Sequence, residues 1–190
     1  MRLGFLASHR GSNVESILDE IEKGKLDADP LVIISNNRDS HVLDLAIERS
    51  IPCYWIPGAE EKSALEICDV FESYDVDFVL MAGYMKKLGN EVLENYTVLN
   101  IHPSLLPKFG GKGMYGMRVH EAVIDSGDKE SGATVHLADG EYDQGRILAQ
   151  YKVPVFEKDT PSTLAERVKE VEHALYPQTL RDIQYGIIRL

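Results

Sequence analysis

An amide, an imidazole and a carboxylate occur in this chain in a pattern that suits the stabilisation of an oxyanion. The run 99–107 reads LNIHPSLLP and contains Asn100 and His102, and the later run 141–145 reads EYDQG and contains Asp143. Side chains two apart on an extended strand point the same way, so Asn100 and His102 are predicted to share one side of a strand. An amide donor, a titratable ring and a carboxylate that favours the protonated ring are what a tetrahedral oxyanion requires. No Ser-His-Asp or Cys-His arrangement is evident, which favours acyl transfer to a nucleophile that the substrate supplies.

The elements that must position these groups follow an α/β pattern. Five short apolar runs are predicted as buried parallel strands: Leu3–Ala7, Leu31–Ser35, Pro52–Ile56, Phe78–Met81 and Thr97–Ile101. Apolar residues at helical spacing mark three intervening helices: Val14, Ile17, Leu18 and Ile21; Val42, Leu45 and Ala46; and Leu65, Cys68 and Phe71. Strands that alternate with helices indicate a Rossmann-like, mostly parallel sheet with flanking helices.

The last third of the sequence has a different pattern. Two strand-like runs, Ser131–Leu137 and Ile147–Val155, are separated by a polar stretch too short for a crossover helix, which predicts an antiparallel pair. Thr160 reads as an N-cap followed by Pro161, and an apolar stripe then continues to Tyr176. A long C-terminal helix is therefore expected. With no linker or repeat, residues 1–190 are predicted to form a single domain.

Composition narrows the possible partners and location. The net charge of −11 repels polyanions, so the sequence predicts small-molecule substrates rather than nucleic acid. No segment approaches bilayer length and no leader precedes the first apolar run, so no membrane association and a cytoplasmic location are expected. Cys53 and Cys68 have no metal-ligand spacing and are expected to be core residues in a reducing compartment.

A turn after the first strand is a candidate anion site. Gly11, Ser12 and Asn13 lead into the first predicted helix, whose first backbone N–H groups have no intrahelical acceptors and can bind an anionic group. Ser12 and Asn13 are also good helix-capping residues, so the alternative is that one of them only caps the helix. Likewise, a single histidine near a strand end, such as His102, is often structural.

The combination of the GSN turn with NIHPSLLP, EYDQG and the late run VEHALYP resembles the folate-dependent formyltransferases over nearly the whole chain. Within this family, the motifs resemble those of the members that formylate glycinamide ribonucleotide in purine biosynthesis. The resemblance implies 10-formyltetrahydrofolate as co-substrate, no metal, and a monomer or homodimer. It also implies site residues: Asn100, His102 and Asp143 as catalytic; Gly11, Ser12, Asn13, Lys169, Glu170, Val171 and Glu172 as ribonucleotide-binding; and Met85, Lys86, Lys87, Leu88 and Asn100 as folate-binding.

One segment departs from the family pattern. The loop Gly110–Gly116 holds four glycines, where the family usually has a shorter loop with few glycines. Such a loop is expected to be a mobile or tightly turned lid, or else a surface turn before a helix over 119–124.

Two other functions remain open at this point. A formyltetrahydrofolate hydrolase would use water in place of the amine at the same three residues, although such enzymes usually carry an additional N-terminal domain. A non-catalytic nucleotide-binding homologue would bind phosphate at the turn 11–13 without turnover. Transfer to initiator tRNA is disfavoured, because it requires a polyanion to bind an acidic chain.

Overall fold

The computed structural model describes residues 1–58 and 61–190, except for the side chain of residue 61. The chain divides into two compact units, Met1–Asn100 and Ile101–Leu190. Seven strands form a mostly parallel sheet with one antiparallel pair, as the sequence predicts. Among the described residues, no helix is long and apolar enough to cross a membrane.

The first unit contains parallel strands in the order β3-β2-β1-β4-β5. The strands are β1 (Arg2–Leu6), β2 (Asp29–Ser35), β3 (Cys53–Trp55), β4 (Phe78–Met81) and β5 (Thr97–His102), whose last two residues belong to the second unit. The helices are α1 (Ser12–Glu22), α2 (His41–Glu48), α3 (Glu61–Ser73) and α4 (Asn90–Asn95). The loops that follow the strands therefore collect at one edge of the sheet, where ligands bind in such folds.

Gly11 determines how the chain turns from β1 into α1. Its φ of 73° lies in the left-handed region, which favours glycine. A Cβ at this position would lie 2.4 Å from Cγ2 of Val42, so any side chain would collide with α2. Gly11 is the N-cap residue, and no side chain caps the helix. The alternative that Ser12 or Asn13 only caps the helix is therefore wrong, and both residues lie inside the first turn.

The second unit combines the antiparallel pair with two helices. Strands β6 (Glu130–Leu137) and β7 (Ile147–Pro154) pair directly, and the unit also contains α5 (Met117–Ser126) and α6 (Pro161–Gln184). Helix α6 packs on both strands and on α5. Thr160 caps α6 by accepting a hydrogen bond from the Thr163 backbone at 3.2 Å.

Some details differ from the sequence predictions. The long C-terminal helix is confirmed, and α6 extends beyond the apolar stripe that reaches Tyr176, through Pro177 to Gln184. Leu65 is 53% exposed, and the buried positions of α3 are instead Ala64, Ile67 and Phe71. Cys53 and Cys68 are only partly buried. In α3 the helix was predicted correctly, but the face that it buries was set by packing that the sequence does not show.

Candidate active site

The second unit brings His102 and Asp143 together. His102 ends β5, and Asp143 lies in the loop between β6 and β7, with Nδ1 of the ring 3.5 Å from Oδ2 of the carboxylate. Both side chains are nearly buried, at 5% and 10% exposure. Asp143 adopts a left-handed φ of 58°, a strained conformation for a non-glycine residue that is often found at functional sites.

The His102 ring is held from both sides. Its Nε2 lies 2.8 Å from the backbone carbonyl of Phe109, which can only accept, so Nε2 carries a proton. In the neutral ring Nδ1 is then a bare lone pair facing Asp143, which accounts for a separation longer than a hydrogen bond. A proton on Nδ1 would turn this contact into a charge-assisted hydrogen bond.

Burial and the neighbouring charge act on the pKa of His102 in opposite directions. Burial lowers the pKa of His102 below its usual 6.5, and this effect exceeds the opposing effect of Asp143, which raises it. Burial raises the pKa of Asp143, but hydrogen bonds and the neighbouring imidazole rings lower it by more. The pKa of Asp143 therefore lies below its usual value. Asp143 thus favours the protonated ring, as the sequence analysis expects, but burial has the larger effect on the pKa of His102.

A second histidine, His136, also faces Asp143, and the sequence analysis did not identify it as a site residue. Its Nε2 lies 3.6 Å from Asp143 Oδ1, and its Nδ1 donates to the carbonyl of Leu137 at 2.8 Å. A positive charge on His136 would lower the pKa of His102, so the two rings compete for one carboxylate. The signal in the sequence was a titratable residue inside the predicted strand Ser131–Leu137, two residues after Thr134 and so on the same side of that strand.

The glycine-rich loop is built against the same carboxylate. The Gly111 N–H donates to Asp143 Oδ2 at 2.9 Å. A Cβ on Gly110 would lie 2.4 Å from Cδ2 of Leu106 and 3.2 Å from Cβ of Asp143. Phe109, at the start of this loop, has a left-handed φ of 55°. The start of the segment 110–116 is therefore a tight turn on the candidate catalytic pair; the expected mobility of the segment stays a prediction.

Asn100 precedes His102 by two residues on β5. Their side chains therefore project to the same side of the strand, as the sequence predicts. Asn100 is half-buried, and His102 is almost fully buried. A strand fixes such a pair more rigidly than a loop does, which suits donors that must be aimed at one oxygen atom.

The turn at 11–13 presents backbone donors in the first unit. Because the capping residue is a glycine without a side chain, the first-turn N–H groups of α1 receive no side-chain cap. Ser12 and Asn13 are half-buried at this helix end. An anionic group is stabilised here by the N–H groups and by the helix dipole.

The segment 85–88 follows β4 in the first unit and is not helical. The Met85 N–H donates to the Ser8 hydroxyl at 2.7 Å, and the Met85 side chain is half-buried. Leu88 is only 7% exposed, so it packs inside the protein when no ligand is bound. Lys86 and Lys87 are exposed.

The four remaining predicted ribonucleotide-binding residues lie on α6 in the second unit. Lys169 and Glu170 are exposed, whereas Val171 and Glu172 are half-buried. Lys169 and Glu172 are three residues apart and so lie on one helix face. Among the described residues, no group of three or more acidic, histidine or cysteine side chains is arranged to hold a metal ion.

Comparison with known proteins identifies the class to which this fold and site belong. A family model described as "Formyl transferase" matches residues 1–180, and the chain belongs to that family. It is 41% identical over 186 residues to a chloroplastic phosphoribosylglycinamide formyltransferase of Arabidopsis thaliana, covering 94% of this chain and 64% of the relative. It is 34% identical to the phosphoribosylglycinamide formyltransferase of Haemophilus influenzae, covering 100% of this chain and 90% of the relative.

A solved structure shows the same fold. The crystal structure of glycinamide ribonucleotide transformylase 1 from Symbiobacterium toebii superposes with a TM-score of 0.91 at 32% identity, covering 98% of this chain and 88% of that one. The chain spans under two thirds of the length of the chloroplastic relative, 64%.

Proposed function

We propose that this protein transfers the formyl group of 10-formyltetrahydrofolate to the amine of glycinamide ribonucleotide. The observation that carries the proposal is the buried His102–Asp143 pair, whose Nδ1 and Oδ2 atoms are 3.5 Å apart. His102 lies on β5, the strand that also contains Asn100. Relatives that are named for this reaction match most of the chain, which supports the same substrates here. The protein supplies no covalent nucleophile in this scheme.

The substrate amine attacks the formyl carbon, and a C–N bond forms while the carbonyl electrons move to oxygen. The amide of Asn100 and a ring N–H of His102 stabilise this oxyanion. When the intermediate collapses, the bond between the formyl carbon and N10 of the folate breaks, and N10 takes a proton in place of the one that the amine loses. Asp143 favours the proton at Nδ1 of His102 and so stabilises the charged ring during these transfers.

The remaining roles concern binding. The first-turn N–H groups at Gly11, Ser12 and Asn13 hold the ribonucleotide phosphate, and the face of α6 from Lys169 to Glu172 contacts the same substrate. Met85 and Lys86 contact the folate from the segment after β4, with Lys87, Leu88 and Asn100 completing this set. The co-substrate is a small molecule, and neither a metal ion nor a nucleic acid is required.

One assay tests the proposal against its rivals. The protein is incubated with 10-formyltetrahydrofolate, with and without glycinamide ribonucleotide, and the release of tetrahydrofolate and the formylated product are followed. Release that depends on the ribonucleotide supports formyl transfer. Equal release without it would indicate the hydrolase, and phosphate-ligand binding without any release would indicate a non-catalytic homologue.

Matched variants make the same assay specific to the site. His102→Asn is expected to abolish ribonucleotide-dependent release, whereas His41→Asn, an exposed histidine at the start of α2, serves as the control. If both variants retained full activity, the proposed catalytic role of His102 would be wrong.

A further inference from the structure

A cross-strand pair of polar side chains, Thr134 on β6 and Gln150 on β7, has no role in the function proposed above. The two residues are directly opposite in the antiparallel ladder, so their side chains lie on the same face of the two strands. The side-chain nitrogen of Gln150 donates to the Thr134 hydroxyl at 2.9 Å. Thr134 is fully buried, whereas Gln150 is exposed. The pair therefore links the surface of the second unit to a buried polar group.

Both side chains bind the backbone of the turn 103–109, which follows β5. The Thr134 hydroxyl donates to the Ser104 carbonyl at 2.6 Å and accepts from the Leu106 N–H at 3.1 Å. The Gln150 amide also donates to the Leu106 carbonyl, at 2.9 Å. Because a carbonyl can only accept, this contact fixes which end of the amide faces the turn. Three backbone groups of the turn are therefore held by two side chains from β6 and β7.

The same turn ends at the carbonyl that binds the His102 ring. The Ser104 hydroxyl, which is fully buried, donates to the Lys108 carbonyl at 2.7 Å. The Lys108 N–H donates to the Leu105 carbonyl at 3.2 Å. The next residue, Phe109, supplies the carbonyl that accepts from Nε2 of His102 at 2.8 Å. A series of hydrogen bonds therefore connects β7 to the His102 ring through the turn.

The Phe109 carbonyl determines which nitrogen of the neutral His102 ring carries the proton. A neutral imidazole has one N–H, and two acceptors face this ring: the carbonyl at Nε2 and the Asp143 carboxylate, 3.5 Å from Nδ1. The carboxylate is the stronger acceptor, but at this distance it is too far away for a good hydrogen bond. The proton therefore stays at Nε2 while the turn keeps the carbonyl in place, and it moves toward Nδ1 if the turn relaxes.

We propose that Gln150 is a positioning residue for His102. By holding Leu106 and Thr134, its amide keeps the Phe109 carbonyl on the ring, so the neutral ring enters the reaction with its proton at Nε2. Nδ1 then has a lone pair and is able to take up a proton next to the carboxylate. The effect of Gln150 on the ring proton follows from the geometry alone, whereas its effect on the rate rests on the proposed function.

The position of the ring proton can be measured directly. Nitrogen NMR of protein with labelled histidine distinguishes the Nε2–H form of the His102 ring from the Nδ1–H form, at a pH where the ring is neutral. Gln150→Met keeps the length of the side chain but removes both N–H donors. It should increase the ratio of the Nδ1–H form to the Nε2–H form by about two- to tenfold, the range that corresponds to the loss of a neutral hydrogen bond. Exchange of the Nε2 proton with water should accelerate by the same factor, because each opening of the turn exposes it.

No increase in either quantity in Gln150→Met would overturn the proposal. Gln178→Met is the matched control, because it removes an exposed amide on α6 that donates to Asp182 at 2.7 Å. It should leave the ring proton unchanged. An equal change in Gln178→Met would mean that any loss of stability moves the ring proton, and this result would also overturn the proposal.

Two variants of the buried threonine test the same contact with and without its hydroxyl. Thr134→Ser keeps the hydroxyl and should keep the proton at Nε2. Thr134→Val removes the hydroxyl and should move the proton at least as much as Gln150→Met does, because it leaves backbone groups of the turn without partners. Gln150 is exposed, so Gln150→Met decides the question even if Thr134→Val does not fold.

Kinetics separates this inference from the proposed function. Gln150→Met should lower kcat by about two- to tenfold and leave KM for both substrates unchanged, since the proposal gives Gln150 no contact with either. A raised KM with an unchanged kcat would make Gln150 a binding residue and would overturn the positioning role. A shifted ring proton in Gln150→Met, together with no formyl transfer by the wild-type protein, would refute the proposed function and keep the positioning of the ring. Formyl transfer by the wild-type protein with an unchanged ring proton in Gln150→Met would refute the positioning role alone.

Discussion

Nε2 of His102 donates a hydrogen bond to the backbone carbonyl of Phe109 at 2.8 Å. The acceptor is a carbonyl oxygen, the same kind of group that the proposed substrate presents to the enzyme. Because Nδ1 faces Asp143, neither ring nitrogen is free for a substrate in this state. One of the two contacts must therefore break before His102 can donate to a formyl oxygen. Phe109 directly precedes the loop Gly110–Gly116, so this loop lies next to one of the two contacts.

The packing of Gly110 gives a test of this coupling. Gly110→Ala would place a methyl group 2.4 Å from Cδ2 of Leu106 and 3.2 Å from Cβ of Asp143, so either the Leu106 side chain or the loop must shift, and we expect the loop to move. The shift should weaken the Gly111–Asp143 hydrogen bond and lower kcat/KM by about tenfold or more, since such a bond to a charged group contributes about 1.5–3 kcal/mol. Gly140→Ala is the control, because nothing lies within 4 Å of its Cβ position. Equal activity in both variants would show that the position of the loop is irrelevant to catalysis.

The proposed catalytic pair, His102 and Asp143, should behave as a unit. His102→Asn is expected to lower the rate by about 10² to 10⁴, the usual contribution of general acid catalysis, and Asp143→Asn should lower it less. The double variant should cost far less than the product of the two single losses, because both act on one proton position. Steady-state kinetics of the three variants measures this, and full activity in either single variant would refute the mechanism.

The pH dependence provides a separate measurement on the same pair. Asp143 raises the pKa of His102 against the larger lowering by burial, so Asp143→Asn should lower that pKa further. If the protonated ring is the acid, the rate falls as pH rises through this pKa, and the falling limb should move to lower pH in the variant. NMR titration of the His102 ring protons checks the pKa directly. If the pKa of the His102 ring falls in Asp143→Asn but the falling limb of the pH–rate profile does not move, another group is the acid.

His120 should destabilise the protein in mild acid. It is 5% exposed, and burial followed by the repulsion from His102 lowers its pKa from 6.5 to about 4. Between these two values the unfolded chain binds a proton that the folded protein does not, so the free energy of unfolding decreases as pH falls from about 7 toward 4, by at most about 3 kcal/mol.

Urea unfolding at several pH values measures this contribution. His120→Leu should lose that part of the pH dependence, whereas His41→Gln, at an exposed position, should keep it. An unchanged pH profile in His120→Leu would show that the pKa of His120 is the same in the folded and unfolded states.

The start of α6 depends on a network around Asp159. Its carboxylate accepts two hydrogen bonds from the Arg167 guanidinium, at 2.7 and 2.9 Å, and one each from the Phe156 N–H and the Thr163 hydroxyl. The Arg167 interaction is the largest cause of the lowered pKa of Asp159. Asp159→Asn should therefore reduce stability by about 2 kcal/mol at neutral pH.

The pH at which that difference disappears is a further check. A carboxyl group with a lowered folded-state pKa contributes its stability above the unfolded value near 3.9 and loses it as pH falls through the folded value. The difference between the wild-type protein and Asp159→Asn in urea unfolding should therefore shrink only at strongly acidic pH. Asp125→Asn, on the exposed side of α5, is the control. A similar loss of stability in Asp125→Asn would show that the effect comes from the net charge of the protein and not from the network around Asp159.

The sequence by itself determined the architecture and the chemical groups. Local patterns such as the apolar run into His102, the short polar link between β6 and β7, and the Thr160-Pro161 start of α6 depend on near neighbours, so they could be predicted. The three candidate catalytic residue types were also identified in this way. Their identity depends on chemistry that is written in the side chains themselves.

Only the tertiary structure decided the environment of those groups. The third member of the cluster, His136, the Phe109 carbonyl on the His102 ring and the contact of Gly111 with Asp143 all join segments through long-range packing. Burial, which controls whether His102 carries a charge, is likewise a property of the folded chain and not of the local sequence. The candidate site residues could therefore be proposed from the sequence. The protonation of His102 and the contacts of His102 and Asp143 could not.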